Sequence, residues 1–279
     1  MSLDTLPTVT TTSGPPSRRR RRRPLATVWA ARILLAAVVL GLWQIFAGGP
    51  KSALPRNVVS RPSDVATALW DLIAHGGIFS SLGQTALSTA YALLIAIPIA
   101  VVLAAITSNP IGRWVFEPIV TIAYAIPKIG LISLLVIILG ISRSADVVLV
   151  TSAVVFVYYF GFRQTIDELD RSRIVAFRLM GAGRIRIFRS LVLGYSVPQL
   201  LASSRVAVPL AFATEVFAEL RVPATPGLGV ELSRLVNNFE SASSVAVMIF
   251  ILALGYLLDV LLRGLLNRYT KSIGLGNQL

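Results

Sequence analysis

Residues 80–106 read SSLGQTALSTAYALLIAIPIAVVLAAI, 27 positions without a charged side chain. The hydrocarbon core of a bilayer needs about 20 mostly apolar residues to be crossed by a helix. Backbone N–H and C=O groups find no water there, so the segment is expected to be helical. Working outward, comparable runs lie at about 27–47, 116–139, 144–164, 198–218 and 244–266. Pro98, Pro127 and Pro209 fall inside these runs, which a bundle tolerates when neighbouring groups satisfy the freed carbonyls. The expectation is an all-α, polytopic membrane protein with six transmembrane helices.

The composition agrees. The 279-residue chain is 55% hydrophobic and only 14% charged, with a mean hydropathy of +0.75. Soluble domains carry nearer to ~25% charged residues. There is no cysteine, which excludes disulfides, thiol catalysis and thiolate metal sites. His75 is the one histidine and reads as a solvated loop residue. The formal net charge of +13 is read against a bilayer rather than against nucleic acid.

Cationic loops stay on the cytoplasmic side. With the N-terminus inside, the inner segments hold 17 Lys and Arg and the outer loops 6, while Arg32, Lys128 and Arg205 lie within spans. Both termini are therefore expected to be cytoplasmic. Four regions follow: a disordered Arg-rich tail (1–24), a first transmembrane helix and outer loop (25–79), a transmembrane domain (80–270) and a short tail (271–279). The Arg18–Arg23 run reads as an orientation signal on anionic lipid. The apolar stretch after it is too long for a signal-peptide core.

Between the fourth and fifth spans lies an inner loop of 33 residues, 165–197, far longer than a simple connection. Its pattern suggests two short amphipathic helices. Ile174, Phe177 and Met180/Gly181 recur at helical spacing, then Ile185, Phe188 and Val192 do so beyond a Gly181-Ala182-Gly183 break. Pro198 is expected to open the fifth span. On these residues alone the loop suits either docking into a protein groove or lying on lipid. DNA binding is disfavoured, because both ends are tethered to the membrane.

Residues 170–198 resemble the EAA loop of binding-protein-dependent ABC importer permeases, in which Glu-Ala-Ala, three residues, Gly and a later Pro mark the coupling helix. Gly181, Ala176, Pro198 and the upstream acid Asp170 match that pattern. Val175 stands where the family has Glu, Phe177 where it has Ala, and Gly194 where a Pro is usual. Tyr-Ala-Ile-Pro-Lys-Ile-Gly-Leu at 124–131 with Gly140, and Ala218-Glu219 followed by Gly227-Leu228-Gly229, resemble the nitrate/sulfonate/taurine-type subfamily. The likeness covers roughly residues 80–270. It implies a type I importer permease of a prokaryotic cell (inner) membrane. Its implied partners are ATP-binding cassette ATPase subunits, a second permease copy or paralogue, and an extracytoplasmic solute-binding protein. It also implies that Asp170, Ile174, Val175, Ala176, Phe177, Gly181 and Pro198 couple to the ATPase.

No Gly-x-x-x-x-Gly-Lys-Ser/Thr loop occurs, so this chain is not expected to be an enzyme or to hold a cofactor. ATP and Mg belong to the partner ATPase. The cargo implied is a small nutrient, either a nitrate-, sulfonate- or taurine-like anion or a vitamin or precursor. An ion-gradient-driven carrier or channel is the alternative, but it lacks the paired broken helices in inverted halves that would favour it.

Within the spans, Lys128 beside Pro127 reads two ways: as a cationic contact for an anionic solute, or as a snorkelling or ion-paired lysine with Glu117, Glu215 or Glu219. Glu215 and Glu219, one turn apart, suggest a gate or a docking contact, against a salt bridge or a solvated helix end. Ser81, Gln84, Ser88 and Tyr91, with Ala92 and Ala96 on the next ridge, read as helix packing. Leu228, Leu232, Leu235, Val236 and Phe239 predict an amphipathic helix at the outer surface.

Overall fold

A computed structural model describes residues 25–48 and 60–272. The Arg-rich tail, Lys51 and Arg56 of the first outer loop, and residues 273–279 lie outside the described residues. Among those described, every regular element is helical: α1 (Leu25–Gly48), α2 (Pro62–Ala74), α3 (Ile78–Thr107), α4 (Pro110–Ala125), α5 (Leu131–Leu139), α6 (Arg143–Glu168), α7 (Arg171–Leu179), α8 (Arg184–Ile187), α9 (Leu193–Arg221), α10 (Leu228–Asn237) and α11 (Ser241–Ser272).

Five helical stretches are long and apolar enough to cross a membrane, and a bent pair supplies the sixth. That pair is the expected third span, and it departs from the straight helix predicted over 116–139. Pro110–Ala125 and Lys128–Leu139 meet at 75°. The break follows from Pro127, which has no N–H to continue the helix and pushes its predecessor out of the helical region. Ile126 accordingly sits at φ −62°, ψ 129°.

The bundle is organised around α6. Of its most apolar window 72% is buried, against 6% for α1 and 22% for α11. Ala92, Ala96, Ala100 and Ala104 of α3 are essentially inaccessible and pack with Val150, Ala153 and Val154 of α6 and Ala207 and Ala211 of α9. With hydrocarbon outside, helix association relies on close packing, which small residues permit. The same logic operates at Gly161, where a Cβ would collide with Ser203. The reading of the second span as a packing surface holds for its alanine ridge.

A second layer closes the end of the bundle away from α7. Helix α2 was not anticipated within the first outer loop. Its Val65 and Leu72 join Ile78 of α3, Leu228 and Leu235 of α10 and Val247 of α11 in one cluster. Helix α10 thus turns its apolar face into the bundle rather than along lipid, leaving Val236 and Phe239 exposed.

The 165–197 connection also differs from two separate amphipathic helices. Helix α8 runs through one widened turn, Phe188–Val192, straight into α9, so helical backbone continues from Ile185 to Arg221. Pro198 lies inside α9 instead of opening it.

Candidate functional site

Helix α7 is a nine-residue rod bounded by two defined caps. At its start the Asp170 carboxylate accepts the Ser172 N–H at 2.9 Å and the Ser172 hydroxyl at 2.6 Å. These bonds hold the Asp170 carboxyl below the usual carboxylate range. At its end Ala182 N–H reaches Phe177 O at 3.0 Å, and Gly181 N–H reaches Arg178 O at 2.9 Å. That nested pair ends a helix with a residue in the left-handed region, and Gly181 supplies it at φ 77°. The glycine is therefore demanded by backbone geometry; a Cβ there would meet open space.

One face of the rod is anchored. Ile174 and Phe177 pack with Leu169, Ile187, Leu191 and Val192, and Arg173 donates to the Tyr195 hydroxyl at 2.7 Å while lying over its ring. The rest of the rod is exposed and carries apolar side chains beside Ser172 and Arg178. Val175 is 51% exposed, Leu179 84%, Met180 70% and Ile185 85%. Met180 and Ile185 had been placed on the same apolar faces as Ile174, Phe177, Phe188 and Val192; the structure packs those four and leaves Met180 and Ile185 exposed. Ala176 and Pro198 are exposed as well.

Lys128 stands at the break in the third span. Its ammonium donates to Ala123 O, to Tyr124 O at 3.2 Å and to Ile126 O at 3.0 Å, and lies 4.9 Å from the Phe156 ring centre. These are the carbonyls left over where α4 stops, so the lysine caps the helix that Pro127 terminates. The anticipated ion pair with a glutamate is not formed: Glu117 pairs with Arg113 at 2.9 Å. Between α5 and the C-terminal end of α9 lies an open cleft of about 690 Å³, in which Arg221 is the charged lining residue among Ile129, Ser133, Val136 and Phe217.

Glu215 and Glu219 are neither solvated nor salt-bridged. Both are buried, at 0% and 2% exposure. The Glu219 carboxylate accepts the Thr85 hydroxyl at 2.8 Å and the Gly229 N–H at 2.8 Å, while the Thr85 oxygen accepts the Leu228 N–H at 3.0 Å. Together α3 and α9 thus cap the N-terminus of α10, whose first N–H groups carry the positive end of the helix dipole. The contact is so close that a Cβ on Gly227 or Gly229 would strike Glu219, which accounts for the Gly227-Leu228-Gly229 motif. Both Glu215 oxygens are buried without a hydrogen-bond partner among the described residues. Nearby, Arg143 donates to Gln84, and the buried Asp146 opens α6. Sequence reasoning missed Thr85, Arg143 and Asp146. An acid in the first turn of a span is the signal that singles out Asp146.

Comparison with known proteins decides the family. Residues 96–271 match the model of the binding-protein-dependent transport system inner membrane component. The chain belongs to this family. It is a membrane component of an ABC-type importer, and the ion-gradient alternative is not favoured.

A probable ABC transporter permease protein of Brucella melitensis is 28% identical over 243 residues, 86% of this chain and 95% of the relative. The taurine transport system permease protein TauC of Escherichia coli is 27% identical, over 74% of this chain and 72% of the relative. The putative aliphatic sulfonates transport permease protein SsuC of the same organism is 26% identical, over 83% and 89%. In fold, this family member is similar to the inward-facing MetNI methionine ABC transporter, at a TM-score of 0.56 and 21% identity over 72% of this chain and 96% of that one.

Proposed function

We propose that this family member is the subunit through which a separate ATPase drives uptake of a small anion, with α7 as the element the ATPase grips. The observation that carries the reading is the exposed apolar patch of Val175, Leu179 and Met180 on a rod capped at both ends and fixed on its opposite side, continued by Ile185 of α8. A short helix so braced transmits a push without deforming, and an apolar face offered beside anchored positions is what a groove accepts. Asp170 and Gly181 fix the rod's ends. Ile174 and Phe177 fix its back, and Ala176 sits on the exposed side. Pro198 lies in the first turns of α9, which receives the motion directly through the continuous helix from Ile185.

Nucleotide and Mg2+ are held by the partner. This chain carries no phosphate loop, and its own part is mechanical. The excess of arginine around α7 supports a cytoplasmic position for that loop and for both termini. A second copy or a paralogue completes the pathway, and a solute-binding protein delivers cargo to the opposite side, where α2 and α10 close the bundle. The anionic cargo class is supported by the relatives that carry taurine and aliphatic sulfonates, and by Arg221 as the charged wall of the outer cleft. Pro127 and Lys128 shape the break behind that cleft. Glu219 holds α10 in place beside it, and Glu215 lies buried one turn away on α9.

The test is uncoupling. Gly181→Val forces a β-branched residue to φ 77°, and Ala176→Asp places a charge on the docking face. Each variant complex is expected to hydrolyse ATP without accumulating solute, or to lose its ATPase altogether. Normal uptake by both removes the coupling role.

A further inference from the structure

Arg205 is a guanidinium in the middle of α9, exposed on the outside of the bundle. It forms no hydrogen bond or ion pair among the described residues. An unpaired charge at such a position is costly unless it meets a partner or an interface. Its surroundings define a cleft of about 380 Å³ between α9 and α11, lined by Arg205, Asp259, Arg263 and Asn267. The two helices touch at Phe212 and Gly255, where an added Cβ would stand 3.0 Å from the ring. The cleft lies beyond this contact, towards the end of the bundle that bears α7.

Asp259 does not neutralise the pair of arginines, because its carboxylate is taken by Arg263 at 2.8 Å. The cleft therefore keeps one unneutralised positive charge, and Arg205 presents a planar fork suited to an oxyanion. On α11 the same stripe continues, at helical spacing, through Tyr256 and Leu252, which are 72% and 71% exposed. The stripe is thus polar and cationic at its α7 end and apolar towards the bilayer middle, the profile of an anionic phospholipid with its acyl chains.

We propose that the Arg205–Arg263 cleft is a binding site for the phosphate headgroup of an anionic phospholipid in the leaflet on the α7 side. Basic clefts between spans on that side are suited to such headgroups. The site is separate from the docking face of α7 and does not depend on which solute is carried.

The full chain is reconstituted in nanodiscs of phosphatidylcholine with and without phosphatidylglycerol, and retained lipid is counted by native mass spectrometry. The wild type is expected to retain phosphatidylglycerol selectively. Arg205→Gln is expected to weaken that retention about fivefold. Because Arg205 makes no hydrogen bond or ion pair among the described residues, this variant should keep its thermal midpoint in pure phosphatidylcholine. Arg263→Lys, which keeps the charge beside Asp259 but not the fork, is expected to fall between the two. Unchanged selectivity in Arg205→Gln overturns the proposal. So does displacement of the lipid by inorganic phosphate at millimolar levels, which would make the cleft a free-anion site.

Discussion

Replacing Glu219 by alanine removes the acceptor that ties three helices together. In the native bundle its carboxylate takes the Thr85 hydroxyl at 2.8 Å and the Gly229 N–H at 2.8 Å, at a position 2% exposed. Each of the two buried donors left without a partner costs about 1–3 kcal/mol, so Glu219→Ala is expected to destabilise the protein by about 2–6 kcal/mol. Glu219→Gln keeps one acceptor oxygen but turns an NH2 towards one donor, for a loss of about 1–2 kcal/mol. The assay is denaturant unfolding of the purified chain in detergent, followed by helical circular dichroism, with proteolysis of the 222–227 loop as a local readout. The alanine variant should expose that loop before global unfolding, since the cap on α10 is lost first. Thr85→Val tests the same clasp from α3, and its combination with Glu219→Ala should fall well short of additive. An alanine variant within about 0.5 kcal/mol of wild type, the range of an ordinary surface change, would refute the trans-capping account.

Three further outcomes are expected. Gly229→Ala puts a Cβ against Val216 O and the Glu219 side chain, and overpacking of this kind costs about 1–3 kcal/mol, read by the same unfolding assay. Lys128→Met strips the charged partner from the last carbonyls of α4. It should speed proteolysis around 126–130 while leaving the half-saturating solute concentration unchanged; a large rise there would instead put the ammonium on the solute. The third outcome concerns Asp170, whose carboxyl is held below its usual value by Ser172. Its folded pKa is the depressed one, so its support of α7 is complete above about pH 4, the unfolded value, and fades as pH falls through the folded value. Hydrogen exchange at the first amides of α7 should accelerate over that acid range in wild type, and the acceleration should vanish in Asp170→Asn.

The spans were legible because hydrocarbon leaves the backbone no choice but helix, and a long uncharged run such as 80–106 has one physical reading. The rod was legible in position, through Gly181 and the change of period around it, but its exposed face was not. Whether Met180 turns in or out is decided by the cap geometry after Leu179, which spacing alone does not carry. The break in the third span was not foreseen, because Pro127 was expected to be tolerated as Pro98 and Pro209 are, and those two do sit in unbroken helices. The difference lies in how each neighbourhood satisfies the freed carbonyls, here by Lys128. The glutamate pair was misread as a salt bridge or a wet helix end because its true partners are remote in sequence: Thr85 stands 134 residues from Glu219. Helix α2 was overlooked because its 13 residues alternate apolar and polar positions too briefly to stand out beside full spans.

The most direct test of the central claim is the affinity between the purified permease, in nanodiscs, and its partner ATPase, compared for wild type and Leu179→Asp. Leu179 is 84% exposed and contributes nothing to the core, so the substitution leaves the fold intact. The account predicts that association weakens by about tenfold or more, as expected when an apolar anchor is replaced by a charge that must be desolvated, and that ATP-driven uptake falls with it. Undiminished association together with full uptake would contradict the claim that α7 is the point of grip.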